Sequence, residues 1–154
     1  MRSGVAPGLG LGAIPKTIGA WLLPLLSLAG LLVSAYLSYT HLTHASPICG
    51  GLGDCELVNQ SRYAELGGVP VAVLGMGMYA AIFALALLWP RATAELRWWV
   101  LLGVFGLSLA GVLYSGYLTY VEFFVLMAVC VWCLASATIV SAIFALSLAG
   151  LARA

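Results

Sequence analysis

The sequence predicts an all-α membrane protein, a bundle of four transmembrane helices with a cysteine-bearing outer loop. Of its 154 residues, 64% are hydrophobic and only 7% are charged, whereas soluble domains carry roughly 25% charged residues. A helix needs about 20 apolar residues to cross a bilayer. Uncharged apolar stretches of about this length cover residues 18–39, 69–89, 98–120 and 123–151. Each stretch predicts one transmembrane helix.

The segment before the first stretch predicts a tail. Residues 1–17, MRSGVAPGLGLGAIPKT, are rich in Gly and Pro, which oppose helix formation. We expect a flexible cytoplasmic tail, followed by a transmembrane redox domain over residues 18–151. The first apolar stretch is longer than the apolar region of a cleaved signal peptide, about 7–15 residues. We therefore expect it to be retained as the first helix.

The basic residues predict the orientation, because short cytoplasmic loops collect Lys and Arg. With the N-terminus inside, only Arg62 falls outside. The other basic residues fall on the cytoplasmic side: Arg2, Lys16, Arg91, Arg97 and Arg153. This predicts a multi-pass protein of the inner cell membrane, with both termini cytoplasmic and all four cysteines at the outer face. A non-cytoplasmic, oxidising compartment is where disulfides form and persist.

The outer loop, residues 40–68, is the only long polar segment. Loops beyond about 12–15 residues without regular structure are usually functional or disordered, and Cys49 and Cys55 favour a function. Its second half, ELVNQSRYAEL, predicts a short amphipathic half-helix across the bundle mouth. We expect this half-helix to turn Leu57, Ser61 and Ala64 toward the bilayer.

The connection between the third and fourth helices predicts a tight hairpin that turns near Glu122. Reflection about this turn puts Tyr114 level with Cys130 and Tyr117 slightly shallower, where both would line a ligand pocket. An interfacial aromatic belt predicts the same two residues. For Glu122 we favour a solvated turn residue, and a proton relay is the alternative.

The motif Cys130-Val131-Trp132-Cys133 lies in the outer part of the fourth predicted helix. Residues three apart on a helix share a face, so the pair predicts a redox-active dithiol. Cys133 lies about 4.5 Å deeper than Cys130, at roughly 1.5 Å per residue. A lipid-soluble two-electron acceptor, a membrane quinone, reaches that depth, and Cys49 and Cys55 then shuttle electrons from an aqueous partner.

Three other interpretations of the cysteines stay open at this point. A zinc site would use His41 and His44 beside Cys49, although histidines at an interface are more often solvated loop residues. A soft-metal protein that handles copper or mercury would use the same cysteine pairs, but the inner half of the membrane offers no cysteines. A purely structural disulfide would not need a second pair. We expect no metal.

The pattern resembles the bacterial branch of the vitamin K epoxide reductase family, from Trp21 to Leu148. The matching motifs are Cys49 and Cys55, Ser61-Arg62-Tyr63, Val73-Leu74-Gly75 with Tyr79, and the C-x-x-C of Cys130 and Cys133. The thioredoxin-like domain that is fused to some members is not among these 154 residues, so we expect the partner to act in trans. Val71 and Ala137 stand where the animal enzymes carry Asn and Tyr, which favours plain quinone reduction over epoxide reduction.

The resemblance implies a four-helix bundle around a quinone (ubiquinone, menaquinone or phylloquinone) and a quinone-dependent, disulfide-generating activity. It implies that a thioredoxin-like partner, acting in trans, attacks Cys49, that the freed Cys55 attacks Cys130, and that Cys133 faces the quinone. The cofactor-binding residues that we expect are Ser61, Tyr114, Tyr117 and Glu122. Ser61 either donates a hydrogen bond to a quinone oxygen or caps the loop helix.

Overall fold

The computed structural model describes residues 16–51 and 53–153. The predicted tail, residues 1–17, therefore lies outside the described residues except for its last two. Long helices fold from the four apolar stretches, and a short helix, α2, lies in the outer loop. The helices are α1 (Lys16–Leu42), α2 (Cys55–Asn59), α3 (Val71–Leu88), α4 (Ala94–Tyr120) and α5 (Val131–Arg153).

The four long helices are long and apolar enough to cross a membrane. The candidate spans are Ala20–Leu42, Val71–Arg91, Ala94–Leu126 and Val131–Arg153. Together they confirm the predicted helical membrane bundle and make the chain a multi-pass membrane protein. In the most apolar part of each span only 17–22% of the residues are fully buried inside the protein, as expected of helices whose outer faces meet lipid.

The bundle packs α1 against α3 and α5, and α4 against α5 and α3. Tyr79 on α3 is buried at the centre, where its hydroxyl donates a hydrogen bond to the carbonyl oxygen of Ser136 on α5 at 2.8 Å. The Tyr79 ring lies so close to α1 that a Cβ at Gly30 would overlap it. Small residues bring membrane helices close together, and Gly30 does so here.

The predicted hairpin near Glu122 is wrong. The helix continues past Tyr120 as a π-helical segment, Val121–Leu126, and the chain turns at Met127, whose φ of 49° is left-handed. After an extended stretch α5 begins at Val131 rather than Phe123. The turn carries no Gly, Pro or polar residue. The apolar sequence therefore gives no sign of a turn at this position. Its extended backbone is paired with the outer loop instead: the N–H of Asp54 donates to the carbonyl of Val129 at 3.0 Å.

The predicted half-helix is shorter than expected and divided. After α2, a 3₁₀ turn covers Arg62–Ala64, and two short antiparallel strands, β1 (Glu65–Leu66) and β2 (Val69–Pro70), lead into α3. Gly67 and Gly68 have φ of 61° and 85°, the conformation that a tight two-residue hairpin requires. Ser61 and Ala64 were expected to face the bilayer, and they face a cavity inside the protein instead.

Replacement of Gly30 by Ala tests the close approach of α1 and α3. A methyl group at Gly30 would overlap the Tyr79 ring, so we expect a loss of about 1–3 kcal/mol of stability from overpacking. The measurement is thermal unfolding in detergent. Gly77→Ala on α3 is the control, because nothing lies within 4 Å of its added Cβ, and helix propensity favours Ala there. Equal unfolding temperatures for the two variants would contradict this packing.

Candidate functional site

The structure brings all four cysteines to one end of the bundle. Cys49 and Cys55 are joined in a disulfide, with Cα atoms 6.3 Å apart, whereas Cys130 and Cys133 carry free thiols. Cys55 and Cys130 are 2% and 0% exposed and belong to one buried cluster, against which Cys49 and Cys133 also pack. The disulfide of the loop therefore lies beside the free thiols of the bundle.

The sequence predicted that the C-x-x-C pair lies within the fourth helix. In the structure the pair lies across the beginning of α5. Cys130 directly precedes the first helical residue, Val131. The backbone N–H of Cys133 points at the Cys130 sulfur, 3.4 Å away. Unpaired N–H groups and the helix dipole favour negative charge at a helix N-terminus, and they stabilise thiolates there. The backbone thus favours a nucleophilic thiolate at Cys130.

Backbone pairing holds the second half of the cysteine loop against this helix start. Gly53 and Cys130 form an antiparallel bridge, next to the hydrogen bond from Asp54 to Val129. Gly53 has a φ of 99°, and a Cβ there would overlap the carbonyl oxygen of Val129. Glycine is therefore required at this position both by the backbone conformation and by the approach of the two segments.

A side-chain clamp holds the first half of the loop. The indole N–H of Trp132 donates to the carbonyl oxygen of Ile48 at 2.8 Å, and the N–H of Ile48 donates to the Tyr36 hydroxyl at 2.8 Å. The two aromatic rings pack with centroids 5.0 Å apart. Both backbone polar groups of Ile48, the residue before Cys49, are thus bound, and Trp132 lies between the two cysteines of the C-x-x-C motif.

A cavity of about 370 Å³ lies beside the cysteine cluster and reaches all four long helices. Its volume lies in the range of small-molecule sites, about 300–1,000 Å³. Its walls are mainly apolar, with a few polar groups, and Cys133 is one of its lining residues. A flat, apolar ring that carries two carbonyl oxygens fits such walls, so these residues suit a quinone.

Three of the four residues predicted to bind a cofactor line this cavity: Ser61, Tyr114 and Glu122. Tyr117 is not among the lining residues. It is 48% exposed, and the centroid of its ring lies 5.8 Å from that of the Tyr114 ring. The Ser61 hydroxyl donates its hydrogen to the carbonyl of Val58 at 2.8 Å, so in this structure that hydrogen is used locally.

Glu122 is buried, and the favoured interpretation as a solvated turn residue is wrong. It is 2% exposed and lines the cavity. Its carboxylate accepts a hydrogen bond from the N–H of Cys130 at 3.1 Å, and it also interacts with the Cys133 side chain. Cys130 is therefore level with Glu122, rather than with Tyr114 as predicted, because α4 runs further before it turns.

His41 lines the cavity, although the sequence favoured a solvated loop histidine. It lies in the last turn of α1 and is only 7% exposed. Ser34, Leu37 and His41 all line the cavity, at helical spacings of three and four residues. This spacing was the signal in the sequence that could have placed His41 on the cavity side of α1. Asn59, which follows Cys55 by one helical turn, also lines the cavity and carried no such signal.

A disulfide packed against a second, reduced cysteine pair beside an apolar cavity is the arrangement of a membrane thiol oxidoreductase. The sequence profile of the vitamin K epoxide reductase family matches residues 21–148, and the chain belongs to that family. It is thus, at the level of the family, a membrane thiol–quinone oxidoreductase, as the resemblance implied. Membership does not favour the soft-metal interpretation. Within residues 16–51 and 53–153, no three His, Cys, Asp or Glu side chains are grouped to hold a metal ion.

Gly53→Ala tests how the loop is held. The added methyl would overlap Val129, so we expect the loop to leave the beginning of α5 and uncover Cys130, which is fully buried in the wild type. Alkylation of Cys130 is measured by peptide mass mapping. Its rate should rise about tenfold for each 1.4 kcal/mol lost from the free energy that docks the loop against α5.

Gly51→Ala is the matched control for this substitution. Gly51 has a φ of 77°, but nothing lies within 4 Å of its added Cβ. It therefore reports the backbone strain alone. If Gly51→Ala exposed Cys130 as much as Gly53→Ala does, close contact with Val129 would not be what holds the loop.

Proposed function

We propose that this protein oxidises a thioredoxin-like partner in trans and passes the electrons through Cys49 and Cys55 to Cys130 and Cys133, and then to a membrane quinone. The activity supports disulfide bond formation. One observation carries the proposal: the C-x-x-C pair contacts both neighbours that an electron path needs. Cys130 packs in the same buried cluster as Cys55, and Cys133 lines the apolar cavity.

The burial of the two loop cysteines supports the order of the exchange. Cys49 is the more exposed member of the loop disulfide, so the partner thiolate attacks it and releases Cys55 as a thiolate. Cys55 attacks Cys130 in the oxidised buried pair, which breaks that disulfide and frees Cys133. The partner's second thiol displaces Cys49 and leaves oxidised. Cys49 then attacks Cys55, which restores the loop disulfide and leaves Cys130 and Cys133 reduced.

A bound quinone supplies an acceptor for two electrons and two protons, and its product is the quinol. Cys130 and Cys133 give up the two electrons as they close to a disulfide. Glu122 takes the proton of Cys133, because a thiolate and a carboxylate repel each other where both are withdrawn from water. The N–H of Cys130 holds the carboxylate in place at 3.1 Å. The proton therefore stays at the cavity wall.

The proposed location is the inner cell membrane, with both termini in the cytoplasm and the cysteines at the outer face. The distribution of basic residues in the sequence supports this orientation. Five of the six fall before the first span, around the connection between α3 and α4, or at the end of the last span, in the segments that this orientation assigns to the cytoplasm. The cysteines meet at a single end of the bundle, so one orientation serves all of them. A partner in the oxidising compartment outside the cytoplasm would then meet Cys49 directly.

Cysteine variants test the electron path. We expect Cys133→Ala to abolish quinone reduction with any electron donor, because the only described cysteine that lines the cavity is lost. Cys49→Ala should lose turnover with a thioredoxin-like partner but keep slow reduction driven by dithiothreitol, which reaches the buried pair directly. Quinone absorbance measures both reactions in purified protein.

Cys55→Ala should behave as Cys49→Ala does with the partner. It should also accumulate a mixed disulfide through Cys49, visible by nonreducing electrophoresis, because the resolving thiol is gone. A wild-type rate of quinone reduction by Cys133→Ala would show that the C-x-x-C pair does not face the quinone.

Glu122→Gln tests proton transfer at the cavity wall. The amide oxygen can still accept the hydrogen bond from Cys130, but the side chain can no longer take a proton. We expect quinone reduction by pre-reduced protein to slow about 100-fold, the low end of what general acid–base groups contribute. Reduction of the loop disulfide by dithiothreitol should not change. Glu95→Gln, an exposed change at the other end of α4, is the control, and equal rates in both variants would exclude this role.

A further inference from the structure

His41 and Glu65 form a pair at the cavity that the electron path does not use. His41 Nδ1 lies 2.6 Å from the carbonyl oxygen of Asn59, and its Nε2 lies 3.2 Å from a carboxylate oxygen of Glu65. Asn59 is itself fixed, because its side-chain amide donates to the Thr40 hydroxyl at 3.0 Å. Both nitrogens of a buried imidazole thus have a defined partner.

The chemistry of these partners fixes where the protons are. A carbonyl oxygen can only accept a hydrogen bond, so Nδ1 carries a hydrogen. An ionised carboxylate also only accepts, so the contact between Nε2 and Glu65 needs one further proton on one of the two atoms. Either His41 is the cation and Glu65 the anion, or His41 is neutral and Glu65 is protonated. In both cases the pair holds one proton that can move between them.

The pair also connects two environments. His41 lines the cavity beside the cysteine cluster, whereas Glu65 lies on β1 in the outer loop, and its side chain is 49% exposed. Glu65 is not among the residues that line the cavity. A proton that enters at Glu65 from water can therefore reach the cavity wall through one hydrogen bond.

We propose that His41 and Glu65 deliver a proton from the outer aqueous face to the quinone cavity. This inference rests on the proposed function. As the buried dithiol closes to a disulfide, two electrons reach the quinone, and the quinol needs two protons. One comes from Cys133 through Glu122. The other is the proton that Cys130 loses to water when its thiolate forms. It is replaced by the Nε2 proton of His41, which leaves Glu65 for the quinone oxygen. Glu65 then takes up a proton from water and returns it to Nε2, so charge and protons balance.

The test separates the two half-reactions in purified full-length protein. The quinone step is followed by absorbance after a pre-reduced sample is mixed with a short-chain ubiquinone. The thiol step is followed as reduction of the loop disulfide by dithiothreitol. His41→Asn places an amide N–H where Nδ1 was and keeps the bond to Asn59, and Glu65→Gln keeps a hydrogen-bonding group. Neither variant can pass the proton.

We expect both variants to slow the quinone step about 10- to 100-fold and to leave the thiol step at the wild-type rate. Glu56→Gln is the matched control: Glu56 is an exposed acid of the same loop, bonded to Ser46 at 2.7 Å, and we expect no effect. His41→Ala should lose the quinone step and recover part of it when imidazole is added to the buffer, which a purely structural role would not produce.

The outcomes distinguish this inference from the function on which it rests. If Cys133→Ala is inactive while His41→Asn and Glu65→Gln reduce quinone at the wild-type rate, the proton route is wrong and the electron path stands. No response of His41→Ala to imidazole would also overturn the route. If Cys133→Ala retains the quinone step, the proposed function fails, and this inference fails with it.

Discussion

The functional end of this molecule depends on a short backbone pairing between two segments that are far apart in sequence. Gly53 and Asp54 of the outer loop bind the extended residues Val129 and Cys130, just before α5. In a bilayer an unpaired backbone group costs several kcal/mol, so the break between α4 and α5 is tolerated because the loop satisfies it. The same contact brings Cys55 against Cys130. One interaction thus completes the bundle and joins its two cysteine pairs.

The sequence predicted the parts of this structure that composition and motifs control. Four apolar stretches predicted the spanning helices, and the cysteine spacing with Ser61-Arg62-Tyr63 predicted the family. The turn at Met127 was missed because no polar or glycine residue marks it. The burial of Glu122 was missed for the same reason. Carboxylates are mostly exposed, and only the turn at Met127 folds the chain back over this one. Long-range pairing such as that of Gly53 and Cys130 leaves no local pattern to find.

The buried polar side chains at the cavity fall into two groups, according to whether their hydrogen-bond partner can exchange a proton. Asn59 and Tyr79 are bound to groups on α1 and α5, so they rigidify the wall. Glu122 and His41 instead have partners that can exchange protons: a thiol for Glu122, a second acid for His41. Within the described residues, every buried side-chain oxygen or nitrogen has a hydrogen-bond partner. These fully buried polar atoms are therefore satisfied within the protein, and satisfied networks of this kind rigidify the structure around the cavity.

The two attachments of the outer loop, at Ile48 and at Gly53, lie on either side of the segment that begins with Cys49. When the disulfide opens, this segment remains tethered at both ends instead of diffusing away. Attachments this close in sequence keep the Cys49 thiol at an effective concentration in the millimolar range relative to the cysteines of the bundle. In the proposed electron path, exchange between loop and bundle is then a unimolecular step, whose speed is independent of how abundant the protein is in the membrane.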